Sequence, residues 1–469
     1  MSEPARKIPV VAEADVAVVG GGTGGLIAAV SAARCGAKTV LIERFGSLGG
    51  TLNMGIVHHL YNRFRNKKGV ELIGGLPREA VVELVKAGGT AFQGMDEAFN
   101  AYTIPFRPEY MGHVYLKLAR AAGVKLMLQT CFTRALLQNN TPPVLLVENK
   151  SGRQAVRAKV VIDASGDADV CADAGAPTKA GNLPWGLMFT MHGVDDDKYL
   201  DFKNNAPAKC PEFAAWLAGH LKRTEEDIRK DWYWRQWLDG APFAHKFRHQ
   251  LMEAAAKGDL TIRKDLGNNT SIRVGWDGFG LCGWGLRGEA IVNVCLVRGF
   301  NAASGDDVTK AEIAAREFAM EFANFLRKYI PGFADARLAQ MGAQTIPRDG
   351  RMIDGEYWMT QKEALEGKRF DDGVCMAQYS PEKDGLIHQL PFRMFMPRQI
   401  ENILAVGKCA SGGGNVRGTA YCMLGGNVCG IAAALAAKHN IAPRQLDIQV
   451  LQKNLRQQGI FIDPPPGEK

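Results

Sequence analysis

The hydrophobic pattern opens with a short unbroken run, Val16 to Val19, the signature of a strand buried on both faces of a parallel sheet. Gly20, Gly22 and Gly25 follow in G-x-G-x-x-G spacing, and Leu26 to Cys35 then reads as a helix of small and apolar residues. A second apolar run, Thr39 to Ile42, ends at Glu43, 23 residues after Gly20. Strand, turn, helix, strand and acid in that order predict a dinucleotide-binding unit. Gly20 permits the tight turn, Gly22 lets the backbone approach a diphosphate, and Gly25 allows close packing of helix on strand. The helix N-terminus faces the diphosphate, and Glu43 accepts from a ribose diol.

Further along, Tyr110 to Ala122 reads as a helix, Lys125 to Leu128 as a strand, and "LLVENKSGRQAVRAK" as a hairpin around Ser151-Gly152. Val160 to Ile162 is another buried strand, and it runs into the small-residue turn Ala164-Ser165-Gly166-Asp167. Near the C-terminus, "ILAVGKCASGGGNVRGTAYCMLGG" (Ile403 to Gly426) repeats the theme of apolar strand and glycine turn, with a helix-like run from Tyr421 to His439. "GFGLCG" (Gly278 to Gly283) and "GWGLRG" (Gly283 to Gly288) match the first glycine spacing, but neither follows an apolar strand, so both read as loops. In "DWYWRQWLDG", the cluster Trp232, Trp234 and Trp237 reads as a packed helix face. No repeat of 20–50 residues recurs, and low complexity is confined to the terminal "DPPPGEK".

Composition narrows the class. A chain of 469 residues predicts two or three lobes, and 46% hydrophobic with 23% charged residues is ordinary for a globular protein. The net charge of +8 is spread along the chain; its densest cluster, "NRFRNKKG", has no aromatic platform and reads as a solvated loop, so no nucleic-acid partner is expected. The ten cysteines form no Cys-x-x-Cys pair, which removes the usual signature of zinc knuckles, iron–sulfur ligation and dithiol redox chemistry; no metal site is expected. Without a signal-like start, a twin arginine or a stretch of membrane-spanning length, the expected location is cytoplasmic. Oligomeric state is not legible.

The first unit alone does not separate FAD from NAD, since both present an ADP half. In "RFGSLGGTLNMG", Gly49, Gly50 and Thr51 form a second close-approach turn beyond the acid, which suits a cofactor that extends past its diphosphate. The set "VVGGGTGG…ER…LGGT…VIDASGD…NILAVGKCAS" resembles the FAD-dependent oxidoreductases related to fumarate reductase and succinate dehydrogenase flavoproteins. The resemblance covers roughly 15–177 and 344 onward. It implies an α/β architecture: a non-contiguous, glutathione reductase-type Rossmann FAD-binding domain with an inserted α+β substrate domain. The expected boundaries are 14–182 for the first part of the FAD domain, 183–345 for the substrate domain, 346–440 for active-site segments and the return of the FAD domain, and 441–469 for a C-terminal helix and tail.

On that basis the expected FAD-binding residues are Gly20, Gly22, Thr23, Gly24, Gly25, Glu43, Arg44, Gly49, Gly50, Thr51, Phe132, Ala164, Ser165, Gly166, Gly407 and Lys408. Met423, Gly425 and Gly426 join them as the helix start expected to point at the pyrimidine end of the flavin. Where covalent relatives carry a flavin-linked histidine, this chain has Gly50-Thr51-Leu52-Asn53, so noncovalent FAD is expected. Lys408 stands where many flavoproteins place an acid, leaving the ribityl contact unassigned. "TIPRDGRMIDGEYWMT" and "IHQLPFRMFMP" resemble segments that reach the active site, which makes His388, Arg393, Arg351, Arg348 and Arg417 the candidates for substrate anchoring and proton traffic. Arginine suits a carboxylate or other anion, and His388 is the best titrating group by type. The expected activity is hydride transfer between a small organic substrate and flavin N5. A flavin monooxygenase and an electron-transferring flavoprotein subunit are the alternatives.

Overall fold

A computed structural model describes residues 7–464, except 62–63, 67, 91, 102, 137–143, 208–209, 231–233, 236–237, 239–246, 268–269, 275–286, 379–385 and 413–416. Trp232, Trp237 and most of the two later glycine motifs lie outside the described residues. The chain divides into two compact units: Met1–Asn53, His58–Gly181 and Asp349–Lys469 form the first, and Met54–Val57 with Asn182–Arg348 form the second.

The first unit is built on a seven-stranded sheet. In chain order its elements include β1 (Val10–Val19), α1 (Thr23–Arg34), β2 (Thr39–Ile42), α2 (Gly75–Lys86), α3 (Pro108–Ala121), β3 (Lys125–Met127), β4 (Cys131–Leu136), β5 (Val144–Asn149) and β6 (Gly152–Asp163). After the second unit's sequence come β7 (Gly373–Gln378), β8 (Ile387–Pro391), β9 (Ile403–Ala405) and α4 (Thr419–His439). The sheet order is β3-β2-β1-β6-β5-β4, with β9 also on β6. Strands β3, β2, β1, β6 and β9 are mutually parallel, which explains their unbroken apolar runs: Val16 to Val18 and Ile403 to Ala405 are wholly buried. The long strand β6 divides one edge between two partners. Its first half pairs antiparallel with β5, and Val161 to Asp163 pair with β9.

Helix α4 is the spine of this unit, lying against α1 through residues without bulk. A β-carbon on Gly426 would collide with the Gly24 carbonyl, and one on Gly430 with the Ala28 carbonyl. Asn427, buried between them, donates to Ser31 Oγ at 2.8 Å and accepts from the Leu76 N–H at 3.1 Å, so one amide joins α4, α1 and the start of α2. The helix corrects one expectation from the sequence. At 21 residues it is long and apolar enough to cross a membrane, but nearly all of it is buried inside this unit. Its alanines and glycines face protein on every side, as a helix hydrophobic all round must.

The second unit carries a five-stranded antiparallel sheet. Its order is Arg263–Gly267, Thr270–Val274, Glu289–Arg298, Trp185–His192 and Arg337–Met341. The long helix Gly305–Tyr329, capped by Ser304 accepting from the Asp307 N–H, puts Phe318, Phe322 and Phe325 into a core shared with Leu187, Phe189 and Trp234.

Candidate functional site

The glycines of the first turn divide by what a side chain there would meet. Gly20 has φ +103° and lies against the Ala164 carbonyl; Gly25 lies against the carbonyl of Gly20, so α1 can start only with both positions bare. Gly22 differs. Its φ of −68° is ordinary, and a β-carbon would meet only the Gly50 Cα at 3.8 Å. The space above Gly22 is therefore a cradle of backbone that a side chain would fill without disturbing the fold. It opens on the start of α1, where no side chain caps the helix and the first turn holds no acid. The helix start thus offers N–H donors and a positive dipole end to an anion.

The second glycine turn docks onto the first. The Gly49 N–H donates to the Gly21 carbonyl at 2.8 Å, Gly49 pairs with Gly22 in a parallel bridge, and Gly50 sits against the Gly22 Cα. Gly49, at φ +115°, starts the short 3₁₀ turn that contains Thr51. Asn53 holds this turn by donating to the Leu48 carbonyl at 2.6 Å. Glu43 closes the far side. It is buried, and its two carboxylate oxygens accept from the Gly21 N–H at 2.6 Å and the Phe45 N–H at 2.8 Å. Burial raises its pKa and these two N–H donors oppose the rise. Arg44 stacks over the Phe45 ring. Phe132, on β4, packs against the core of the sheet.

At the end of β6 the structure brings together residues that are far apart in sequence. Asp163, wholly buried, accepts from the Ser165 N–H and hydroxyl and from the Cys171 N–H, and so shapes the Ala164–Gly166 turn. The Val406 N–H donates to the Asp163 carbonyl, placing Gly407 and Lys408 beside that turn. Lys408 Nζ then meets Asp167 Oδ1 at 2.6 Å, with both side chains largely shielded. The basic residue that stood in place of an acid is thus the counterion of an acid carried by the neighbouring strand's turn. Sequence reasoning passed over Asp163 and Asp167, although both acids stand in the quoted "VIDASGD".

The candidate catalytic residues have different surroundings. Arg351 donates to the Asp167 carbonyl and to Asp169 Oδ1, each at 2.8 Å, which makes it part of the turn. Asp169 is raised by burial and by the charges of Asp163 and Asp167, with Arg351 opposing. Arg393 reaches Asp372 at 3.5 Å and lies over the Tyr357 ring at 4.8 Å. His388 is buried on β8, where burial first and the Arg369 charge second push its pKa down to about 4. Burial thus favours its neutral form. Arg417 is exposed ahead of α4, and Arg348 is the last residue of the second unit.

One placement is overturned. Helix α4 begins at Thr419, so Met423, Gly425 and Gly426 lie inside it and do not form its start. Gly425 packs toward Phe395 and Gly426 against α1, and all three are buried. The expected helix began at Tyr421, which put these residues in its first turn; the start at Thr419 carries them further in.

The sequence profile of a family described as FAD dependent oxidoreductase matches residues 15–455. A dihydrolipoyl dehydrogenase from Trypanosoma brucei brucei is 51% identical over 53 residues, 11% of this chain and 11% of that protein. A leghemoglobin reductase from Glycine max is 56% identical over 46 residues, 10% and 9% of the two. The match thus spans about a tenth of the length of these curated relatives. Among solved structures, a geranylgeranyl bacteriochlorophyll reductase-like protein from Thermoplasma acidophilum aligns over 95% of this chain and 84% of that one, with 16% identity and a TM-score of 0.44. A p-nitrophenol 4-monooxygenase from Pseudomonas putida aligns over 96% and 85%, with 11% identity and a TM-score of 0.42.

Proposed function

The chain belongs to the FAD-dependent oxidoreductase family, and from that premise we propose that it oxidises or reduces a small organic substrate by hydride exchange with noncovalent FAD. It is an enzyme, and its cofactor is FAD. The observation that carries the reading is the open backbone cradle at Gly22, flanked by the uncapped start of α1 and by the docked Gly49–Gly50 turn.

Each group has a stated task in this proposal. Gly22, Thr23 and the α1 N-terminus hold the diphosphate by backbone N–H and dipole, and Glu43 holds the adenosine ribose. Gly49, Gly50 and Thr51 pass the cofactor on, and the Gly166–Asp167–Lys408 corner meets its ribityl portion, with Asp167 as the acid that Lys408 displaced. Bound FAD supplies a two-electron acceptor and donor. The protein holds it in one orientation and keeps the charges of the corner balanced. No histidine lies in 50–53, and Asn53 is spent on the Leu48 carbonyl, which favours noncovalent attachment. We assign the anchoring of an anionic group on the substrate to Arg393 and Arg417, whose cationic side chains suit it. We also propose the kinship with fumarate reductase flavoproteins that the motifs suggest, and a cytoplasmic location, since all eight described cysteines are free thiols.

Two measurements test the proposal. Acid should release the flavin intact into the supernatant; flavin that stays with the precipitated chain would refute noncovalent binding. Anaerobic mixing with candidate reduced substrates should bleach the flavin without a nicotinamide nucleotide. Bleaching only by NADPH, followed by an oxygen-dependent product, would replace this reading with a monooxygenase.

A further inference from the structure

The second unit holds a cluster that the flavin chemistry does not use. Cys210 is buried just ahead of the helix Phe213–Leu221, Glu212 is the residue before that helix, and His249 lies in the first turn of the helix Arg248–Ala256. Cys210 Sγ is 3.9 Å from His249 Nδ1, and His249 Nδ1 is 3.5 Å from Glu212 Oε1; the three ligand atoms all fall within 4.8 Å of one another. Zinc bonds of about 2.3 Å to sulfur and about 2.0–2.1 Å to nitrogen and oxygen, at tetrahedral angles, imply edges of about 3.6 Å (S to N) and about 3.4 Å (N to O). The sulfur–nitrogen and nitrogen–oxygen separations exceed these by a few tenths of an ångström or less, and the sulfur lies within 4.8 Å of the carboxylate oxygen, so the three atoms surround a space that one ion can close.

We propose that Cys210, Glu212 and His249 bind one divalent metal ion of zinc's class, with water in the fourth position. One thiolate and one carboxylate neutralise a dication, and a neutral imidazole completes the thiolate–nitrogen–oxygen set that zinc accepts. Binding converts the Cys210 S–H to a thiolate–metal bond and releases one proton to solvent; no electron moves. Because the metal must displace the thiol proton, affinity should rise with pH. The ion would clamp the beginnings of two helices that share the core of this unit. No spacing signature marks the set, because Cys210 and Glu212 are separated from His249 by about forty residues.

The test uses the full flavin-bound chain, stripped with a chelator and titrated with zinc(II) or cobalt(II). One equivalent should bind per chain, and cobalt should give the intense d–d bands of a tetrahedral thiolate site at wavelengths beyond the flavin's absorption. C210S should lose those bands. H249A and E212Q should weaken the site by more than about tenfold, the scale on which even supporting residues of metal sites act. H249A and E212Q alter exposed side chains, so they keep the test valid should C210S fold poorly. Flavin content should be unchanged in these two, which separates failure here from failure of the FAD assignment. No tight equivalent in the parent chain, or equal binding by parent and variants, would overturn the site and leave adventitious surface metal.

Discussion

At the scale of single residues, the glycine fingerprint contains two kinds of glycine, and substitution should tell them apart. Gly22→Ala fits its backbone and meets only Gly50, so the apo protein's Tm should stay within about a degree while flavin absorbance per chain collapses. Gly25→Ala drives a methyl into the Gly20 carbonyl and should cost about 2–4 kcal/mol of stability before any cofactor is considered. His388 makes a prediction about acid. Its folded pKa of about 4 lies below the ordinary value of 6.5, so the unfolded chain binds the proton first as pH falls. Stability should therefore be full above about pH 6.5 and decline toward pH 4, by up to about 3 kcal/mol from this group. In His388→Gln, denaturant melts across that window should be flatter by that amount; an unchanged slope would refute the assignment. The fingerprint glycines and Glu43 stood out because strand, turn, helix, strand and acid follow one another in a single stretch, Asp15 to Arg44. Asp167 did not, since its partner Lys408 is 241 positions away.

Elements were read with uneven success, for a physical reason. Strand β1, helix α1 and the β5–β6 hairpin declare themselves by apolar runs and turn residues; the hairpin stands where expected, while β1 begins at Val10 and α1 at Thr23, ahead of the apolar runs that signalled them. Helix α4 starts at Thr419, two residues before the expected Tyr421, and its bare positions serve different neighbours: Gly425 faces Phe395 and Gly426 lets α1 approach. The element-scale prediction concerns that contact. Asn427→Leu removes a donor from Ser31 and an acceptor from the Leu76 N–H, which leaves a buried N–H unpaired and should cost about 2–3 kcal/mol. A double-mutant cycle on Lys408 and Asp167 should likewise return about 1–3 kcal/mol of coupling, as expected for a shielded pair that ties β9 to the turn after β6. A coupling near zero would make the pair incidental.

For the whole molecule, the first unit draws on three separate stretches of chain, and each carries part of the motif set: the two glycine turns in the first, "VIDASGD" in the second and "NILAVGKCAS" in the third. Nothing in the hydrophobic pattern marks Met54–Val57 as part of the second unit, since four residues are too few to show a period. Because FAD binds the native chain and not the unfolded one, adding it to flavin-stripped protein should raise Tm with concentration, by about 2.7 kcal/mol of stability at a hundredfold excess over Kd. A Tm indifferent to FAD would contradict the cradle. The packing of Gly24 against Gly426 also has a temporal side. The two residues are 402 positions apart, and β6 gains β9 only from the same late stretch. At a ribosome's pace of about 5–20 residues per second, the nascent chain must wait roughly 20–80 s between making α1 and making the helix that seats it. For that interval the face of α1 that α4 later covers is a natural client for chaperones.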